Sequence, residues 1–298
     1  MPSVTFDEAV GRLRAGGIVA IPTETVYGLA ADGLDGAAVA AIFAAKGRPV
    51  SHPLILHVLD DPDAHGVADA RARALAARFW PGPLTLVLPA RPHVPRAVTG
   101  GAPTVAVRAP AHPLARRVLE AVGRPLAAPS ANRFGRTSPT TASHVLAEDP
   151  AWAVLDGGPC DVGVESTIVD LSRPRAALLR PGGIARDALE AEIGRLDAGS
   201  ATPAPGTLAA HYAPHTPLVV VEDVEAALAR ADALGLRVGV VRAEAPDVHA
   251  RTLFATLRAL DGTCDLIVAE RAAPGGLGDA INDRLQRAAA AHRTPLLE

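Results

Sequence analysis

Short apolar runs, each broken almost at once by proline, glycine or hydroxyl-bearing residues, recur along the first two thirds of this chain. That rhythm points to a sheet of many brief strands whose ends carry polar loops. Ile18–Ile21 stops at Pro22-Thr23-Glu24-Thr25, and Val26–Leu29 resumes the extended pattern. Leu54–Val58 restarts after Pro53 and carries His57, Leu84–Leu88 follows Pro81-Gly82-Pro83, and Thr104–Arg108 ends before Pro110. Leu126–Ala128, Ala153–Leu155, Gly163–Val169 and Ala176–Leu179 read as further strands. Helical spacing intervenes after a capping box at Thr5–Glu8, and again at Gly36–Ala45, Asp69–Phe79, Leu114–Val122 and near Asp187–Leu196. Ligands of open α/β sheets gather at strand ends, so the loops are the places to look for chemistry.

From Leu218 the pattern simplifies. Strands Leu218–Val221, Val238–Val241 and Leu266–Ala269 alternate with helices near Val224–Leu234, Ala250–Leu260 and Asp279–Ala290. This is a small parallel α/β unit with right-handed crossovers expected. Between the two regions, Asp197–Thr207 is dominated by Ala, Gly, Ser, Thr and Pro, the composition of a linker. The division expected is residues 1–196, a linker over 197–216, and a second unit over 217–298.

Composition removes several function classes. The formal charge is −3 with no long run of like charges, against a dedicated nucleic-acid binder. Cys160 and Cys264 stand far apart without CxxC spacing, so neither a disulfide framework nor a zinc site is expected. His211 and His215 have helical metal spacing, but Pro214 forbids a regular helix between them, and no metal ligands are assigned. The N-terminus lacks a signal-like apolar segment and no run approaches a membrane span, so a cytoplasmic protein is expected. Gly275–Gly278 lacks both the Walker lysine and GxGxxG spacing and reads as a turn.

Lys46, in Lys46-Gly47-Arg48-Pro49, is the only lysine among 29 Lys and Arg residues. A background that exchanges lysine for arginine keeps a lysine where a compact ammonium must reach a crowded oxyanion. A helix C-terminus also favours any cation there, which is the purely structural account. Arg108 is either an exposed strand-end residue or a carboxylate clamp. The loop from Pro129 to Thr140 is either solvated or rings a phosphate. Glu165-Ser166-Thr167, inside an otherwise apolar run, must be paired or face a cavity.

Taken in order, Pro22–Leu29, Lys46–Pro49, Trp80–Thr85, Thr104–Arg108, Pro129–Asn132, Ser138–Thr140, Gly163–Thr167, Leu179–Gly182 and His211–Pro214 resemble the threonylcarbamoyl-AMP synthases, in their long two-domain form. Ala250–Phe254 and Leu257–Asp261 extend the likeness into the second unit. The resemblance implies a twisted mixed α/β catalytic domain over 1–196 and a Rossmann-like parallel accessory domain over 217–298. It implies condensation of L-threonine, bicarbonate or CO2 and ATP to threonylcarbamoyl-AMP and pyrophosphate, for modification of position 37 of tRNA. Mg2+ would accompany ATP. The product would pass to tRNA threonylcarbamoyl-transfer proteins, with no stable tRNA binding and no membrane contact by the synthase itself.

Carried over by position, Lys46 and Arg48 would face the phosphates, with Ser130 and Asn132 completing the family's Lys-x-Arg and Ser-x-Asn signature. Thr25, His57, Arg108, Ala128 and Ser166 match threonine contacts, Arg108 as the carboxylate clamp. Arg48, His52, Thr104, Ser130, Ser138, Arg180 and Tyr212 match ATP contacts. Tyr212 lies in the linker, which would then fold over the nucleotide as a lid. The chain departs from the pattern at His52, where asparagine is usual. It departs again at Ile281-Asn282-Asp283-Arg284-Leu285, in the accessory domain, which is expected to bear little on the chemistry. The weighed alternatives are a carbamoyl-adenylate enzyme of hydrogenase maturation, which would need acylphosphatase-like and zinc-finger modules, and a double-stranded RNA-binding module.

Overall fold

A computed structural model of the chain describes residues 3–292. The first sheet comprises β1 (Val19–Ile21), β2 (Gly28–Asp32), β3 (Ile55–His57), β4 (Leu84–Pro89), β5 (Thr104–Arg108), β6 (Leu126–Ala127), β7 (Thr167–Asp170), β8 (Ala177–Arg180) and β9 (Asp197–Ala198). Its order is β1-β2-β6-β3-β5-β4-β7-β8-β9 with mixed parallel and antiparallel pairing. Interleaved are α1 (Phe6–Arg14), α2 (Gly36–Lys46), α3 (Ala70–Phe79), α4 (Arg96–Thr99), α5 (Pro113–Val122), α6 (Ala142–Glu148) and α7 (Arg186–Ile193). The second sheet is β10 (Leu218–Val221), β12 (Leu266–Glu270) and β11 (Val238–Val241), all parallel, with α8 (Val224–Ala233), α9 (Pro246–Leu260) and α10 (Leu277–Ala289).

The period-two alternation of the strands decides where the site lies. Leu54 and Leu56, Leu84, Leu86 and Leu88, and Val105 and Val107 share one core with Val39, Ile42 and Phe43 of α2 and Leu75 of α3. The alternate residues, Ile55, Val87, Ala106 and Ile168, form a smaller cluster against Ala204 of the linker. His57 and Arg108 continue that second row to the strand ends. One face of the central sheet is therefore closed by helices and the other by the linker.

The second unit docks through α9 and α10. Leu253, Phe254, Leu257, Ile281 and Leu285 form a common cluster with Val26, Val164 and Tyr212. Gly163 has φ +80, and a Cβ there would strike the Ala250 carbonyl, so only glycine lets the backbones approach this closely. Arg258 of α9 donates to the Ser138 carbonyl (3.3 Å) and to Glu148 (2.6 Å).

Three expectations are corrected. Ala153–Leu155 is not a strand; Val154 makes only isolated bridges to Ser3 and Ala20. The run expected over Gly163–Val169 pairs only from Thr167, because Gly182 packs against the Glu165–Thr167 backbone and Arg180 takes the Ser166 carbonyl. Helix α9 begins at Pro246 rather than Ala250, with proline in its first turn, where its missing N–H is no loss. Among the described residues, no helix is long and apolar enough to cross a membrane.

Candidate active site

A cavity opens on the linker-covered face of the sheet, lined by Thr23, Thr25, Arg48, His57, Arg108, Ala128, Ser130, Glu165, Ser166, Arg180 and His211–Tyr212 among others. The loop after β1 forms one wall. The Thr23 hydroxyl accepts from the Val26 amide (3.2 Å) and donates to its carbonyl (2.6 Å), folding the loop on itself. Arg108, 3% exposed, is no edge residue. It donates to Glu24 (2.6 Å), to the Thr25 hydroxyl (2.9 Å) and through Nε to the Gly82 carbonyl (3.3 Å). Three of its five N–H donors are so engaged, leaving two at the cavity for a carboxylate. Burial pushes the Glu24 carboxyl up, but Arg108 outweighs it and holds the group below its usual range.

The opposite wall starts where α2 ends. Gly47 caps the helix in the left-handed conformation (φ 62) and turns the chain toward Arg48. The Lys46 ammonium, 2% exposed, donates to the Ser130 carbonyl (2.6 Å) and the Asn132 carbonyl, and does not line the cavity. The Asn132 amide in turn donates to the carbonyls of Arg133 (2.7 Å) and Arg136 (2.9 Å). Arg48 and Ser130 do line the cavity, with Arg48 set over the Phe134 ring at 5.6 Å. The four signature residues are thus gathered, two at the cavity and two bracing the loop behind it. Burial depresses the Lys46 ammonium well below its ordinary value, helped by Arg48, and brings Arg48 down to about 10.

The third wall is polar and entirely buried. Arg180 donates to the Ser166 carbonyl (2.9 Å) and the Pro205 carbonyl (3.1 Å), with the Tyr212 hydroxyl at 3.4 Å. Ser166 shares a hydrogen bond with Thr85 (2.8 Å). Ser138 lies behind this wall and donates to Glu165. Tyr212 has a left-handed backbone (φ 63), unusual for a non-glycine residue. Its neighbours hold it from both units: the His211 amide donates to Arg287 of α10, and the Ala213 amide to Gly135.

Besides Lys46, Asn132 and Ser138, two further matched positions stand off the cavity. His52 packs edge-on against Phe134 (5.3 Å), a partner that Arg48 also covers. Thr104 shares the face of Arg108 but begins β5, roughly 13 Å away at the rise of an extended strand. Sequence reasoning left Glu24, Glu165, His211, Pro205 and Gly206 without roles. For Glu165 the signal was present, a carboxylate inside an apolar run; for the linker residues there was none.

The cavity's charge is positive. Arg48, Arg108 and Arg180 face it, while Glu24 and Glu165 are each tied to an arginine. Burial, reinforced by Arg108, drives the His57 imidazole down to about 3; burial does the same to His211. Both rings are neutral near pH 7. On residues that line the cavity, Arg48 Nε, His57 Nδ1 and His211 Nδ1 are buried without partners, the condition of a surface built to meet a polar ligand; behind it, Glu24 Oε2 and Asn132 Oδ1 are unpartnered as well. Among the described residues, no cluster of His, Cys, Asp and Glu could hold a metal ion.

Comparison with known proteins gives the lineage. A family model described as "Telomere recombination" matches residues 12–182, and one described as "Threonylcarbamoyl-AMP synthase, C-terminal domain" matches residues 180–290. A threonylcarbamoyl-AMP synthase of Pyrococcus abyssi is 43% identical, with 94% of this chain and 92% of the relative covered. The chain belongs to the threonylcarbamoyl-AMP synthase family. A Bacillus subtilis member is 39% identical over 95% of this chain and 92% of its own. The crystal structure of Pyrococcus abyssi Sua5 complexed with L-threonine superposes with a TM-score of 0.91 at 41% identity, covering 95% of this chain and 94% of that one. The family thus spans both units described above, and its solved member with threonine bound shares the whole architecture.

Proposed function

We propose that this chain is an L-threonylcarbamoyladenylate synthase, a nucleotidyltransferase that joins L-threonine, bicarbonate or CO2, and ATP. The observation that carries the reading is one buried cavity with a carboxylate clamp, Arg108 beside Thr25, and a separate cationic wall, Arg48 and Arg180 with Ser130. Threonine's carboxylate meets the two free donors of Arg108, with His57, Ala128 and Ser166 around the rest of the molecule. The neutral His57 ring can accept a hydrogen bond without adding charge.

Carboxylation of the threonine amine gives a carbamate, whose oxygen attacks the α-phosphorus of ATP. The bond to the β-phosphate oxygen breaks, and pyrophosphate leaves. No nucleophilic side chain is required. The protein aligns two anions and offsets the charge spreading over the phosphates, which is positioning with electrostatic stabilisation. Arg48 and Ser130 face the phosphates, while Lys46 and Asn132 fix the loop that presents Ser130. Thr104 and His52, set off from the cavity, serve more distant parts of the nucleotide. Mg2+ arrives with ATP as part of the substrate, since the nearest carboxylates are held by Arg108 and Arg284.

The cavity encloses a free volume of only about 50 Å3, far below the roughly 300 Å3 at which small-molecule pockets begin. The linker fills the remainder: Pro205 takes an Arg180 donor, and a Cβ on Gly206 would strike the Tyr212 hydroxyl. We infer that residues 197–216 act as a lid that withdraws to admit ATP and returns over it to exclude water. The product feeds cytoplasmic tRNA-modifying proteins that install threonylcarbamoyl on adenosine 37.

The test is pyrophosphate release from MgATP with bicarbonate and threonine. Release that depends on threonine, and falls when serine replaces it at equal concentration, supports the reading. Release indifferent to threonine defeats it.

A further inference from the structure

Arg284 is a fully buried side chain of the second unit, on α10, yet its surroundings belong to the first. Its Nε donates to Glu165 Oε2 at 2.6 Å, and its Nη2 to the Pro181 carbonyl at 3.0 Å. The guanidinium carbon stands 5.0 Å from the centre of the Tyr212 ring. Nη1 is taken by Asp283, the neighbour on the same helix (2.6 Å).

These contacts converge on the nucleotide wall. Glu165, held by Arg284 on one oxygen, accepts from Ser138 on the other. Pro181 directly follows Arg180, so the bond to its carbonyl ties down the chain one residue beyond the Arg180 side chain. Tyr212 is gripped through its ring. Three segments far apart in sequence, carrying Ser138, Arg180 and Tyr212, therefore meet one planar cation that does not line the cavity. By contrast, Arg108 and its partners Glu24, Thr25 and Gly82 are all contributed by the first unit.

We propose that Arg284 is a positioning residue for ATP, through which the accessory domain sets nucleotide affinity while leaving the threonine clamp unaffected. This rests on the synthase reading for the identity of the nucleotide wall. A lysine could keep the charge toward Glu165 but could not serve Glu165, Pro181 and the Tyr212 face together, because only the guanidinium is a flat fork.

Removing one member of a buried ion pair leaves the other unpaired and endangers the fold, so the decisive variant is the double substitution Glu165→Gln/Arg284→Gln, with Arg284→Lys beside it. ATP binding is measured by calorimetry on the full chain, together with apparent KM for ATP and for threonine, after circular dichroism shows a cooperative thermal transition. We expect ATP affinity and ATP KM to weaken by about tenfold or more in the double variant and by less in Arg284→Lys, with threonine KM within about twofold of the parent. ATP affinity within about twofold of the parent in either folded variant overturns the proposal. So does an equal rise in both KM values, which would mark general loosening of the fold. Should the parent bind ATP but release no threonine-dependent pyrophosphate, the synthase reading falls alone, and the calorimetry still decides the role of Arg284.

Discussion

The two ends of the cavity are built differently. At the end proposed for threonine, Arg108 is held by Glu24, Thr25 and Gly82, all within the first unit, on the loop that follows β1 and the loop that precedes β4. At the end proposed for the nucleotide, Arg180, Ser138 and Tyr212 depend on Glu165, Pro205 and Arg284, drawn from a strand end, the linker and a helix of the second unit. On the proposed reading, an amino acid meets a preformed clamp, whereas a nucleotide meets a surface to which three parts of the chain contribute. The carboxylate clamp and the lid are anchored separately, and the two walls meet at Ser166, whose carbonyl Arg180 holds.

The largest expected effect breaks the threonine end. Arg108→Lys keeps the charge but loses the fork, leaving Glu24 poorly paired; kcat/KM for threonine should fall by roughly 100-fold or more, a loss of ~3 kcal/mol. ATP binding by calorimetry should be nearly unchanged, and an equal loss at both ends would dissolve the distinction. Next comes Lys46→Arg. A guanidinium must enlarge a space where the ammonium is 2% exposed and engaged by two carbonyls. Such overpacking costs about 1–3 kcal/mol and would shift the Ser130–Asn132 loop. Turnover should drop on the order of 100-fold with a lowered but cooperative melting transition. Near-normal turnover would show that the loop tolerates either cation.

Tyr212→Phe keeps the ring on Arg284 and removes only the hydroxyl near Arg180, a long contact at 3.4 Å. ATP KM should rise by a factor of about three to ten, with threonine KM steady, as expected for loss of one hydrogen bond to a charged group. No change in ATP KM would confine the Tyr212 contribution to its ring.

A separate effect concerns stability rather than binding. His57 and His211 stay neutral in the fold down to about pH 3, whereas an unfolded imidazole takes its proton near pH 6.5. Their contribution is complete above pH 6.5 and is lost as pH falls toward 3, because the unfolded chain binds protons that the folded one refuses. Each contributes a slope of up to ~1.4 kcal/mol per pH unit within that window. His144, lowered to about 4 by burial, adds to it, while the carboxylates Glu24 and Glu165 join only at lower pH. Urea midpoints at pH 7, 6 and 5 should decline, and less steeply in His57→Gln. A flat profile would mean that water reaches these rings.

Much of this was legible in the residues themselves. Short apolar runs bounded by Pro22, Pro53 or Pro110 located strands and the loops that carry chemistry, because proline has no N–H to give a ladder. Lys46, Arg48, Ser130 and Asn132, linked beforehand through the family resemblance, do lie together in the fold. The division of labour among them was not legible: whether an ammonium meets a ligand or two carbonyls depends on where a distant loop passes. Ala153–Leu155 misled for a similar reason, its apolar pattern serving a buried segment that makes only isolated bridges.

The sequence by itself determined the strand ends, the breaker residues, the presence of a second parallel unit and the need for Glu165 to find a partner. Only the tertiary structure decided that this partner is Arg284, and that the accessory domain reaches the nucleotide wall. The physical reason is range. Periodicity and turn chemistry act over a few residues, whereas a buried charge is matched by whichever opposite charge the fold brings within hydrogen-bonding distance, here 119 positions along the chain.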